Sequence, residues 1–182
     1  MANKDAPFGL KPIGKVGQNR DNQGLSEYDI AASATAIYFQ DPVKMLDTGT
    51  IGVAAAGDAL LGAITGVFFT DASTSKPTFA NHLDASNAAT DIKGFVTDDP
   101  YERFEIQTNN SGASATTDIF NVADIVYAAG SSPDYVSQVE LNDSTLANGS
   151  SATLQILGLS KDPDNSDVGS ANVNWVVRIN EH

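Results

Sequence analysis

Asp98-Asp99 sets two carboxylates side by side, residue types that share general acid and base work or ligate a cation. Pro100 follows at once, and Asp before Pro between two apolar runs is turn chemistry, so a turn is the expected role. The run Asp162-Pro163-Asp164-Asn165-Ser166-Asp167-Val168-Gly169 places oxygen-bearing side chains at alternate positions, as the start of a calcium loop does. Asp167 stands where such a loop turns on glycine, and Val173 where it supplies a bidentate glutamate, so calcium is not expected. Only two imidazoles exist: His182 is the last residue and His82 lies in a polar run, where a surface histidine is expected. A multi-histidine metal site or a nucleophile triad has little to draw on, and no serine sits in a Gly-x-Ser-x-Gly elbow. The absence of cysteine removes disulfides, zinc thiolates and a thiol nucleophile. Gly49, Gly52, Gly57, Gly62 and Gly66 do not match a phosphate-cradling loop and read as bends in β structure. No catalytic residue, metal or cofactor is expected, and an enzyme is the weakest reading.

The elements that would position these residues are strands. From Ser26 onward, short apolar runs alternate with Gly, Pro, Asn, Asp and Ser clusters, without a sustained helical period. Candidate strands span residues 27–32, 36–39, 42–45, 60–70, 91–97, 102–108, 125–128, 136–141, 153–159 and 173–180. Phe104, Ile106 and Thr108 alternate with Arg103, Glu105 and Gln107, so 91–97 and 102–108 are expected to pair as a hairpin through Asp98-Asp99-Pro100, with one face in the core. In the last strand Val173, Trp175, Val177 and Ile179 face one way, which puts Trp175 in the core and has this strand close the body. Ile119, Val122, Ala123 and Val126 could instead form one or two helical turns after Thr116-Thr117-Asp118. Residues 71–90 and 109–117, rich in Ala, Ser, Thr and Asn, read as long surface loops.

The chain has 182 residues, 41% hydrophobic and 18% charged, enough for one ordinary domain with a real core. No run approaches the roughly 20 apolar residues that span a bilayer, and the opening residues show no hydrophobic region of a secretory signal, so neither a membrane partner nor export is expected. With 23 acidic and 10 basic residues the net charge is -13, which opposes nucleic-acid binding through the whole surface. That charge is uneven: the first 20 residues hold four basic side chains and one acidic, leaving six basic and 22 acidic for the rest. Pro7, Gly9, Pro12, Gly14 and Gly17 oppose helix in the same segment, among the apolar Phe8, Leu10, Ile13 and Val16. Residues 1–24 therefore read as an extended basic arm able to seat on a neighbour, and residues 25–182 as a β-rich body that folds without it.

Several strings carry a resemblance. They are Ala-Pro-Phe-Gly-Leu-Lys-Pro-Ile-Gly over residues 6–14, Ile37-Tyr38-Phe39-Gln40-Asp41-Pro42-Val43, and the apolar run 62–69. Gly94-Phe95-Val96-Thr97-Asp98-Asp99-Pro100 then leads to Phe104-Glu105-Ile106-Gln107, followed by 154–159 with Asp162-Pro163 and the terminal Val176-Val177-Arg178-Ile179-Asn180-Glu181-His182. In this order, over nearly the whole chain, the sequence resembles small virion structural proteins of tailed bacteriophages, especially capsid decoration or cement proteins of marine and cyanobacterial phages. The resemblance implies a mainly β protein, a β-barrel or jelly-roll-like β-sandwich with an extended N-terminal arm. It further implies a homotrimer on the capsid exterior of the virion, assembled in the host cytoplasm and bound to the major capsid protein, whose shell it stabilises. Lys4, Phe8, Leu10, Lys11, Ile13, Lys15 and Arg20 are the expected contacts to the capsid or to a neighbouring subunit. A head fibre, head-completion or tail protein, or a glycan-binding β-sandwich for host attachment, are the alternatives.

Overall fold

Runs rich in Val, Ile, Phe and Thr that end on Gly, Pro, Asn or Asp favour strands, because β-branched and aromatic side chains pack on a pleated surface and the ending residues release the chain into turns. The computed structural model describes residues 3–16, 24–109, 114–149 and 151–182. Among these the strands run in order as β1 (Lys11–Lys15), β2 (Ser26–Asp29), β3 (Pro42–Met45), β4 (Ile51–Val53), β5 (Gly62–Thr70), β6 (Pro77–Ala80) and β7 (Lys93–Thr97). They continue as β8 (Glu102–Gln107), β9 (Val122–Ala123), β10 (Ile125–Val126), β11 (Glu140–Leu141), β12 (Leu154–Leu159) and β13 (Asn174–Ile179). One antiparallel sheet has the order β1-β8-β13-β12-β9, and the second β2-β7-β5-β3-β4, with β6 also on β5 and a separate ribbon β10-β11. Both sheets are open, so the body is sandwich-like and the barrel alternative falls away.

Each sheet carries its own hydrophobic cluster. Phe104, Ile106, Leu154, Ile156, Trp175, Val177 and Ile179 line the inner face of the first sheet, where Leu60, just before β5, and Ala63, within it, join them. Ile30, Ile37, Ile51, Ile64, Val67, Leu83, Ile92 and Val96 form the second cluster. The period-two alternation read in β8 and β13 thus holds on the inner face. β13 does not close the body, however: it is central, bonded to β8 on one side and β12 on the other.

The expected hairpin is not one. β7 pairs with β2 and β5, while β8 pairs with β1 and β13, so Asp98-Asp99-Pro100 carries the chain from one sheet to the other. The turn is tied on both sides: Asp98 accepts from Ser26 Oγ at 2.9 Å and Tyr28 Oη at 2.6 Å. Asp99 pairs with Lys15 Nζ at 2.5 Å and accepts from the Tyr101 amide at 2.8 Å. Residues 71–90 also differ from the loop expected, since they contain β6 and bury Leu83, which bridges Ile37. Over 116–126 the chain makes one 3-10 turn, Thr116–Asp118, and then β9 and β10. Phe120 breaks any helix there by taking a φ of 75°.

Candidate functional site

The N-terminal segment begins as a strap over the outer face of the first sheet. The Asn3 side-chain amide donates to the carbonyls of Asp167 at 3.1 Å and Ala171 at 2.8 Å, and its oxygen accepts from the Asp167 amide at 3.1 Å. Gln107 treats the strap as a neighbouring strand would: its oxygen accepts from the Ala6 amide at 2.9 Å and its nitrogen donates to the Lys4 carbonyl at 3.1 Å. Asn165 donates to the same Lys4 carbonyl at 2.7 Å and to the Asn172 carbonyl at 2.6 Å. Gln107, Asn165 and Asn174 are almost wholly buried. The strap explains why the outward side of β8 is closed to water at Gln107, since a buried amide is tolerated when both its ends are bonded. The run 162–169 thereby serves as a clamp for the strap.

Beyond the strap, Gly9 turns with a φ of 77°, so close to Gln40 and Ser137 that a Cβ would lie 2.5 Å from each. That approach seats Leu10, fully buried, in the first cluster with its amide bonded to the Gln40 carbonyl. β1 then runs along β8 with a bulge between Pro12 and Gly14. The described part of residues 1–24 therefore does not stand apart from the body but supplies an edge strand and a core residue.

The expected contact residues divide accordingly. Leu10 belongs to the core, because the pocket next to Gly9 removes it from water. Phe8 is half-buried, with Lys11 Nζ 5.7 Å from its ring centre. Lys11 pairs with Glu105 at 3.0 Å and Lys15 with Asp99, while the Lys4 side chain is exposed. Ile13 and, just past β1, Val16 remain 43% and 41% exposed. Arg20 lies outside the described residues.

Other chemistry-bearing groups are placed as follows. His82 stacks on Tyr135 with ring centres 3.7 Å apart and planes 4° from parallel, a side-chain contact the polar sequence around it does not announce. Trp175 is fully buried. Asp41 is fully buried too: Oδ2 accepts from the Tyr38 amide at 2.8 Å, and burial, opposed by hydrogen bonding from Ser137 and from that amide, pushes its carboxyl up to about 6. Glu140 is pushed up to about 7 by burial and then by the Asp5 and Asp143 carboxylates. Between β1 and the second sheet a crevice of about 370 Å³ is lined by Pro12, Lys15, Gln40, Thr97, Asp99 and Glu102. Burial raises Glu102 there, opposed by the Gly14 amide it accepts at 3.0 Å, while the Lys15 ammonium lowers Asp99.

Gly66, Phe68, Phe79 and Phe95 form a surface that single-sequence reading missed. The register puts all four on the face opposite Ile64, Val67 and Val96. Phe79 is 69% exposed and its ring centre lies 5.5 Å from that of Phe95. A Cβ on Gly66 would come within 3.2 Å of the Phe79 ring, so the glycine makes the floor on which that ring rests. No group of three metal-ligating side chains occurs among the described residues, and no helix there is long and apolar enough to cross a membrane. No family model, curated protein or solved structure matches the chain.

Proposed function

We propose that the chain is a capsid decoration protein of a tailed bacteriophage, a homotrimer that binds the major capsid protein on the outside of the head and stabilises the shell. The ordered strings along the sequence suggest this reading, and a sandwich-like body suits it. The observation that carries it is the pair Ile13 and Val16, exposed on and just beyond an edge strand that also carries Lys11 and Lys15, in a segment whose charge opposes that of the body. Apolar side chains left open beside cations suit a surface that another protein covers. Decoration needs no reacting group, only a complementary patch repeated over the shell, where multivalency strengthens a weak contact.

The test is co-sedimentation of the full chain with heads that lack it, the bound copies being counted by densitometry. Saturation at hundreds of copies per head, lost in the variant Ile13→Asp/Val16→Asp, is the expected result. Binding of about a dozen copies would assign the chain to a head-completion or tail position instead, as the lower symmetry of those sites demands.

The aromatic face around Gly66 favours a second reading, a glycan-binding sandwich, since sugars stack on exposed rings. Calorimetry of the full chain and of Phe79→Ala with host polysaccharide separates it; heat of binding that vanishes in the variant would support it. Fluorescence is a poor reporter here because Trp175 lies in the core.

A further inference from the structure

The strap covers only part of the outer face of the first sheet. Where it stops covering, the face opens into a groove of about 530 Å³, lined by Ile13, Val16, Leu157 and Val176 with Arg103 and Lys161. The apolar lining comes from β12, β13 and the β1 region, so only the tertiary fold brings it together. Single exposed apolar residues are ordinary on a surface, whereas a contiguous set in a concavity marks a binding region.

The charge around the groove selects its occupant. The Arg103 and Lys161 side chains are exposed and make no hydrogen bond or ion pair among the described residues, although the Arg103 charge also reaches Glu102. The lining holds one carboxylate, Glu105, and it is already engaged by Lys11 at 3.0 Å and by the Ser160 hydroxyl. Arg178, two residues along β13 from Val176 and on the same face, adds a further cation with its Nε on Gln155 at 2.9 Å. On a chain of net charge -13, this is a locally positive strip over an apolar floor. The covered part of the same face shows that it accepts a chain segment through its backbone, since the Lys4 carbonyl and the Ala6 amide are held there by Gln107 and Asn165.

We propose that the groove takes an extended acidic segment of a partner protein. In extended chain, side chains alternate between two sides, so every second residue can enter the floor while the intervening carboxylates reach Arg103 and Lys161. Charge-assisted bonds from those two cations would set the direction and register of the segment. The inference does not need the decoration reading, because the groove belongs to the fold of this chain alone.

The test is selection of a random octapeptide library on the full chain, followed by titration of an isotopically labelled sample with the peptides recovered. The expected peptides alternate apolar residues with Asp or Glu, and their amide shift changes map to β1, β12 and β13. Their affinity should fall about tenfold in Arg103→Glu/Lys161→Glu, as for loss of paired charges at an interface. Both side chains are exposed, so the thermal midpoint should hold; if it does not, Arg103→Gln/Lys161→Gln replaces that variant. Recovery of basic or uncharged peptides, recovery of none, undiminished affinity in the variant, or shifts on the second sheet would each overturn the proposal. So would self-association of the chain alone that the double variant abolishes, which would give the groove to a second copy.

Discussion

Leu10 and Ile13 sit three residues apart in one polar, glycine-rich segment and meet opposite fates. Leu10 is fully buried, while Ile13 stays 43% exposed. Nothing in their types separates them. What does is Gly9, whose positive φ and close approach to Gln40 and Ser137 drive the next side chain inward. Leu10→Ala should therefore lose about 2–5 kcal/mol of stability, as for other buried leucines. Ile13→Ala should change it by less than about 0.5 kcal/mol, as a surface substitution does. Urea denaturation of the two variants measures both, and equal losses would contradict the placement of Leu10. The same residues show how far the sequence carried the candidate site: it found the apolar positions of the segment, but it could not say which of them the body itself consumes.

At the scale of elements, the strap is held by side-chain amides rather than by a continuous ladder. Gln107→Ala would remove the partner of the half-buried Ala6 amide, leave the Lys4 carbonyl to Asn165, and strip the buried Asn174 oxygen of the bond Gln107 donates to it at 3.1 Å. Such a loss costs about 1–3 kcal/mol, and the Ala6 amide should exchange with deuterium faster than in the parent chain. The strap also carries Asp5 near Glu140, whose carboxyl is raised from 4.5 to about 7. A carboxyl raised on folding binds its proton more tightly in the folded state. Its contribution to stability is thus complete below pH 4.5 and lost as pH climbs through about 7. Asp41 acts in the same sense, raised from 3.8 to about 6. Asp58 and Asp99, lowered by Lys44 and Lys15, act oppositely and contribute above the ordinary carboxylate range. Chemical denaturation across pH should place the stability maximum at about pH 4–5, with a fall toward neutrality that flattens in Glu140→Gln. A flat profile in the parent chain would refute the burial of Glu140. The hairpin teaches a related lesson: alternation in β8 was legible, but its partner was not, because Asp98 is bound to β2 residues and Asp99 to β1.

For the whole molecule, the split of charge between the first 20 residues and the rest suggested a dispensable arm on an independent body. The fold argues otherwise, since the segment delivers β1 to the edge of β8 and Leu10 to the core. Removal of residues 1–20 should therefore lower the thermal midpoint by about 10 °C or more, beyond the 2–8 °C that about 1 kcal/mol moves in a domain. An unchanged midpoint would show that the body folds without its edge strand. For the same reason, surface substitutions at Ile13 and Val16 probe the proposed capsid contact more cleanly than truncation does, because they leave β1 and Leu10 in place.

The sequence alone determined the strand-rich architecture, the inner faces of β8 and β13 and the core position of Trp175. Each follows from local alternation of apolar and polar side chains and from turn residues, and local pattern is written in neighbouring positions. Only the tertiary structure decided that Asp98–Pro100 joins two sheets, that Gln107 is buried beneath a strap, and that Ile13, Leu157 and Val176 share a groove. Those outcomes depend on which distant strands meet, and pairing is set by the combined burial and hydrogen bonding of segments far apart in the chain, which no stretch of sequence encodes by itself.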